Sequence, residues 1–172
     1  MPQHITHVDP PEFACEEVEA AIREILKANH LLSLATADAE GNPHINEAYY
    51  AGDLGGLLIF TPPFTRHAAN ATARPEVAAT VADGSQPWGS DLRGLQVFGV
   101  MEALRGPDAA AAYAAFTARF PALAAFTGDY ARAEQMLPAR FYRIRVSSYK
   151  VVDETHFGKQ RAVTASLGPP RK

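Results

Sequence analysis

Near the start of the chain, apolar residues recur with the spacing of an amphipathic helix. Residues 16–29 mix charged positions with apolar positions that lie three or four residues apart, which places the apolar ones on one face. Acidic residues stand at the start of this segment and Lys27 stands near its end, an order that suits the helix dipole. The pattern predicts a helix whose buried face consists of Val18, Ala21, Ile22, Ile25 and Leu26.

After residue 30 the pattern changes to short apolar runs that are separated by turn-forming residues. Glycine, proline, asparagine and aspartate cluster at residues 38–43 and 53–56, a distribution typical of antiparallel strands joined by hairpins. A short helix interrupts the strands at residues 66–73, and alanine-rich helical sequence occupies residues 107–136. We predict six strands, over residues 31–36, 44–52, 57–61, 77–82, 94–104 and 140–152.

These elements predict one mainly β domain with flanking helices. Six antiparallel strands in one domain are expected to close into a barrel, because closure removes exposed strand edges. A chain of 172 residues suits a single domain with a substantial core. We assign the barrel to residues 16–152, and we expect a flexible N-terminal tail over residues 1–15 and a C-terminal tail over residues 153–172.

Composition and charge narrow the classes of function. The chain has 16 lysines and arginines against 19 aspartates and glutamates, and its net charge of −3 offers no basic excess for nucleic-acid binding. No apolar run approaches the roughly 20 residues that span a bilayer, and the first residues lack the stretches of a signal peptide. We therefore expect a cytoplasmic protein that binds neither nucleic acid nor membrane. The single cysteine, Cys15, excludes an internal disulfide and a cysteine-based zinc site.

The junction after the third strand is the segment most suggestive of chemistry. A strand ends at Thr61, Thr65 can cap the next helix, and that helix begins with Arg66 and His67. Free N–H groups at a helix start, a hydroxyl and a guanidinium together favour a phosphate. The alternative is an ordinary capped helix with a surface arginine. The chain holds no nucleophile motif and no histidine pair with metal-ligand spacing, so we predict no metal site and identify no catalytic side chain.

The order and spacing of these segments resemble a known family. Residues 31–51, 58–73, 75–82 and 94–103, taken in sequence, are similar to the pyridoxamine-phosphate-oxidase-like FMN-binding split-barrel family. The resemblance covers residues 17–152. It implies a six-stranded antiparallel split β-barrel, bound FMN, and a homodimer whose cofactor sites lie between the two subunits.

Carried over residue by residue, the family's phosphate site falls on the junction after the third strand. The matching residues are Thr65, Arg66 and His67. A lysine is usual at the position of His67, and an imidazole is a weaker cation whose charge depends on pH.

The resemblance also implies a place for the flavin ring. It would lie along the second strand and beside the end of the third, at Asn46, Glu47, Ala48 and Thr61. Gln96 matches a polar position that faces the cofactor in several members, and Trp88 would come from the partner subunit. From the residues alone, Glu47 can equally lie on a solvated strand face, Gln96 can be a polar residue of the sheet, and Trp88 can be a packing anchor.

The function that the resemblance implies is FMN-dependent oxidoreduction with a small-molecule substrate or electron donor. No catalytic side chain is required, because the flavin carries the electron chemistry. The alternatives on the same fold are a haem-binding or haem-handling protein, a deazaflavin-dependent reductase, and a non-catalytic flavin carrier.

Overall fold

The computed structural model describes residues 3–168, which form eight strands and six helices. The strands are β1 (Ile5–Asp9), β2 (Leu31–Ala37), β3 (Pro43–Asp53), β4 (Gly56–Thr61), β5 (Glu76–Ala82), β6 (Arg93–Ala103), β7 (Arg140–Asp153) and β8 (Val163–Leu167). The helices are α1 (Cys15–Ala28), α2 (Arg66–Ala73), α3 (Gly106–Arg119), α4 (Pro121–Thr127), α5 (Tyr130–Met136) and α6 (Glu154–Phe157).

Six of the strands close into a ring. Their order is β7-β4-β3-β2-β5-β6, and β6 pairs with β7 again to complete the circuit, with every pairing antiparallel. The prediction of a six-stranded antiparallel barrel with flanking helices is therefore confirmed.

Alternation along the strands separates the inside of the barrel from its outer face. In β2, Leu32 and Leu34 are buried, while Ser33 and Ala35 between them are only half-buried. The apolar face of α1 joins the interior core, in which Val18 and Ile22 are fully buried. Burial of one large aliphatic side chain stabilises a fold by about 1.5–3 kcal/mol, so this shared core accounts for the docking of α1 on the barrel.

A second core forms on the outer face of the barrel. Leu58 of β4 and Phe141 of β7 pack there against Tyr113 and Phe116 of α3, and small alanines let the helix approach the sheet. Within the described residues, no single helix is long and apolar enough to cross a membrane. The pair α3 and α4 meets those criteria only together, across a bend of 118°.

The ends of the chain differ from the predicted tails. Residues Ile5–Asp9 form β1, which pairs with β8, and β8 pairs in turn with the part of β7 that extends beyond β4. Val163 is fully buried, and Phe13 packs edge-on against Phe157 with ring centroids 4.8 Å apart. Partners more than 150 residues apart leave no local pattern, which is why these strands escape sequence reasoning. Residues 1–2 and 169–172 of the predicted tails lie outside the described residues.

Candidate functional site

The barrel is split between β3 and β4. The two strands pair only from Tyr50 with Ile59 to Asp53 with Gly56, so the first half of β3 has no partner on that side among the described residues. The backbone N–H of Tyr50 donates to the carbonyl of His30 on the β2 side, at 3.2 Å. Because backbone groups alternate in direction along an antiparallel strand, those of residues 47 and 49 face the open edge.

A cavity of about 400 Å³ lies in this split. It extends from the open edge of β3 to the end of β4 and the start of α2, and α3 and α4 cover it. Five of the nine predicted site residues line it, together with aromatic and aliphatic side chains that the sequence did not indicate. The lining residues are Leu31, Asn46, Glu47, Ala48, Tyr49, Phe60, Thr61, His67, Phe116 and Leu123.

His67 is buried and holds two hydroxyls at the start of α2. Its Nε2 lies 2.7 Å from Oγ1 of Thr61 and 3.0 Å from Oγ1 of Thr65. The Thr65 hydroxyl donates to the carbonyl of Pro62 at 2.8 Å, so it is left to accept from His67. This pattern assigns the proton of the neutral ring to Nε2.

The environment of His67 opposes a positive charge. Burial lowers the pKa of His67 below its usual value, and the parallel ring of His44, with centroids 6.3 Å apart, lowers it further. His67 therefore acts as a neutral bridge between Thr61 and Thr65 at neutral pH.

Arg66 supplies the cationic group at the same junction. Its side chain is exposed, and its Nη2 lies 3.7 Å from Oδ2 of Asp38, too far for a hydrogen bond. Hydrogen bonds from Asn42 lower the pKa of Asp38 and keep its carboxylate charged. Arg66 is also the first residue of α2, whose first turn carries no acidic residue. The junction can therefore present helix N–H groups and one mobile guanidinium to an anion.

Asn46 leaves a buried acceptor without a partner. Its side-chain nitrogen donates to the carbonyl of Glu47 at 3.3 Å, whereas its Oδ1 is buried and accepts no hydrogen bond from the described residues. An unsatisfied buried acceptor costs about 1–3 kcal/mol, so this atom suits a ligand that brings an N–H or O–H donor. Glu47 itself is held by the Ser33 hydroxyl at 2.6 Å.

Aromatic side chains give the cavity an apolar wall. Tyr49 and Phe120 meet edge-on with centroids 5.5 Å apart, and Phe116 packs against both Phe120 and Phe141. Phe116 belongs to the outer core, and its place beside the cavity depends on where α3 crosses the sheet.

Two predicted residues lie away from this cavity within one chain. Gln96 lines a shallow depression on the outer face of β2, β5 and β6, next to Phe98 and Ile45. Trp88 is fully exposed on the loop before β6. The C-terminal end of that loop is fixed, because Arg93, the first residue of β6, donates two hydrogen bonds to the buried Asp153.

Among residues 3–168 there is no group of three or more histidine, cysteine, aspartate or glutamate side chains that could hold a metal ion. Cys15 is half-buried and packs against the interior core.

Comparison with known proteins shows the family. The model of the family described as pyridoxamine 5'-phosphate oxidase matches residues 18–153, and the chain belongs to this family. It is 31% identical over 147 residues to the UPF0306 protein of Citrobacter koseri, covering 84% of this chain and 92% of that one.

Solved structures of a haem-binding protein and of an F420 reductase share the fold. A haem-binding protein from Mycobacterium smegmatis superposes with a TM-score of 0.65 and 21% identity, covering 87% of this chain and 57% of that one. An F420 reductase superposes with a TM-score of 0.53 and 21% identity, covering 74% and 94%. At this level of identity the likeness shows the fold, and the cofactor has to be argued from the site.

The pH dependence of stability tests the neutral state of His67. Because its pKa is lowered in the fold, the unfolded chain takes up this proton first. The stability contributed by the neutral ring is complete above about pH 6.5 and is lost as the pH falls below that value. We expect the free energy of unfolding in urea to fall more steeply below about pH 6.5 in the wild type than in His67→Gln, whose amide can still bond the two threonines.

The matched control is His7→Gln, which changes a histidine on β1 and should keep the steep wild-type profile. If His67→Gln and the wild type lose stability in parallel as the medium is acidified, the neutral assignment is wrong.

Proposed function

We propose that the protein binds FMN in the split between β3 and β4 and works as a flavin-dependent oxidoreductase. The observation that carries the proposal is the open edge of β3, where free backbone groups and the unpaired Oδ1 of Asn46 meet an apolar cavity. A flavin ring is flat and apolar on its faces, and its imide edge offers an N–H donor together with carbonyl acceptors. That imide matches the unpaired acceptor of Asn46 and the backbone groups beside it.

The phosphate of the cofactor would be held at the start of α2. The first N–H groups of a helix lack intrahelical partners and favour an anion, and Arg66 adds a guanidinium that can donate two parallel hydrogen bonds. Asp38 competes for that guanidinium, but at 3.7 Å it holds it loosely. His67 would position the Thr61 and Thr65 hydroxyls without adding charge.

When bound, the flavin supplies the electron transfer. The residues of this chain would orient it and exclude water from one side, since Phe60, Phe116 and Leu123 cover the cavity. The substrate or electron donor is a small molecule that reaches the uncovered face. We place this activity in the cytoplasm.

Haem is the main rival ligand, and a haem-binding protein shares the fold. A haem iron needs an axial ligand. His67, which lines the cavity, has its Nε2 between two hydroxyls, so binding iron through that nitrogen would break both hydrogen bonds. A deazaflavin carries the same imide edge as a flavin and would satisfy Asn46 equally. Oxidation of NADH or NADPH by the loaded protein distinguishes an enzyme from a flavin carrier.

Binding of FMN and riboflavin to two variants tests the proposed orientation. Arg66→Ala should weaken FMN binding about 10- to 100-fold, the value of a charged hydrogen-bonded contact, and should leave riboflavin, which has no phosphate, within about twofold. Asn46→Ala should weaken both ligands about three- to tenfold, because it removes the acceptor for the ring. Fluorescence titration measures all four affinities.

Arg74→Ala is the matched control, since it removes an arginine at the other end of α2 and should preserve both affinities. Unchanged FMN affinity in Arg66→Ala would show that the phosphate lies elsewhere. Equal losses of FMN and riboflavin in that variant would contradict a phosphate contact.

We further propose that the protein is a homodimer joined through the outer face of β2, β5 and β6. This face exposes Ile45 and Phe98 beside Gln96, and Tyr49 and Leu31 lie exposed near it. Large exposed apolar side chains in one patch are typical of an interface. A second copy on this face would bring the partner's Trp88 and Gln96 toward the cofactor, which one chain alone does not do.

Light scattering should give a mass twice 18.5 kDa for the wild type and a reduced mass for Ile45→Glu and Phe98→Glu. Phe126→Glu is the control, because Phe126 is equally exposed but lies on α4. A wild-type mass near 18.5 kDa would overturn the dimer and the shared site.

A further inference from the structure

A second and larger cavity, of about 830 Å³, lies beside α3 and shares no lining residue with the cavity in the split. Phe116 of α3 lines the split, whereas Ala115, Ala118 and Arg119 of the same helix line this second cavity. Gln3, the hairpin between β3 and β4 and the outer face of β7 complete its lining. The two cavities are therefore separate sites on one helix.

Glycines form the floor of the second cavity. Gly52 has a φ of +116°, and a Cβ there would lie 2.0 Å from the carbonyl oxygen of Gly56, so the tight turn requires glycine. Gly56 pairs with Arg145 of β7 and carries no side chain into the cavity. The side chain of Arg143 lies above Gly56, and the side chain of Gln3 lies against Gly55.

Arginines form the walls above this floor. Arg143 and Arg145 are two residues apart on β7, so they share its outer face about 7 Å from each other. Arg145 pairs with Glu102 at 3.2 Å, whereas the side chain of Arg143 has no ion pair and no hydrogen bond with any residue in the range 3–168. Asp53 also lines the cavity, and its carboxylate accepts from the backbone of the hairpin at 3.3 Å.

Arg119 enters from the opposite wall and is fixed in place. Its Nη2 donates to the carbonyls of Leu26, at 2.8 Å, and Asn29, and its guanidinium lies 4.9 Å from the centre of the Tyr50 ring. Its Nε is buried and has no partner among the described residues. A fixed guanidinium and a free one thus flank the same cavity, whose lining includes three arginines and one carboxylate, that of Asp53.

We propose that this cavity, the arginine groove, binds a small molecule that carries a phosphate or pyrophosphate group. The planar fork of Arg143 can donate two parallel hydrogen bonds to phosphate oxygens, and the glycine floor leaves room for a tetrahedral group. The side chain of Arg119 is already fixed by its hydrogen bonds to backbone carbonyls, so it adds a positive charge without having to become ordered when a ligand binds. The site is distinct from that of the proposed flavin, because the two cavities share no lining residue.

Inorganic pyrophosphate is the probe, titrated calorimetrically against the whole chain at low ionic strength. Arg143→Gln should weaken its binding at least about tenfold. Two controls should stay within about twofold of the wild type: Arg105→Gln removes a similar charge outside the groove, and Arg74→Gln removes an arginine at the far end of α2. The backbone amide signals of Gly55 and Gly56 should shift on addition of pyrophosphate and remain still in Arg143→Gln.

Three outcomes would overturn the arginine groove as a site. The first is no binding by the wild type. The second is equal weakening in Arg105→Gln or Arg74→Gln, which would indicate a general charge effect. The third is amide signals of Gly55 and Gly56 that do not respond to pyrophosphate, which would place the anion elsewhere. If Arg143→Gln loses its cooperative unfolding transition, Arg143→Lys replaces it. Lysine keeps the charge but not the fork, so its affinity should fall at least about threefold, and an unchanged affinity would contradict the proposal.

Discussion

The pairing of β6 with β7 is the constraint on which the rest of the structure depends. It runs from Arg93 with Asp153 to Ala103 with Tyr142, and it converts an open sheet into a barrel. A register shift near Gly99 bends the long β7, so that its first part pairs with β4 and its later part pairs with β8. In the ring that this pairing closes, β3 has no partner toward β4 before Tyr50 among the described residues, and the candidate site lies in that split.

In the candidate site, one residue carries the positive charge and another holds the hydroxyl groups in place. In a phosphate site with a lysine, a single residue supplies the charge and the hydrogen bonds. Here the buried His67 arranges two hydroxyls as a neutral ring, and the exposed Arg66 carries the charge. A neutral bridge costs less to bury than an ammonium group would, while a solvated guanidinium can still turn toward an anion. The lowered pKa of His67 and its hydrogen bonds are thus two consequences of the same burial.

The sequence predicts what depends on local pattern. Alternation of buried and exposed positions in β2, glycine and proline at the hairpins, and the apolar face of α1 are local, and the barrel follows from them. The roles of His67, Asn46 and Phe116 depend on contacts between elements that are distant in the sequence. The hydrophobic periodicity of a segment does not predict such contacts. The terminal pair β1 and β8 is the extreme case, since its partners stand at opposite ends of the chain. The prediction of Trp88 and Gln96 as site residues follows from the resemblance alone, and one chain does not bring them to the cavity.

The most direct test of the account is the identity of the small molecule that the protein retains or takes up. Freshly purified protein, and protein incubated with an excess of FMN, riboflavin, haem and F420 and then freed of unbound ligand, is examined by absorption and by mass analysis of the extract. The account predicts flavin absorption bands and a retained molecule with the mass of FMN. A Soret band with haem in the extract, or retention of F420 in place of FMN, would contradict it.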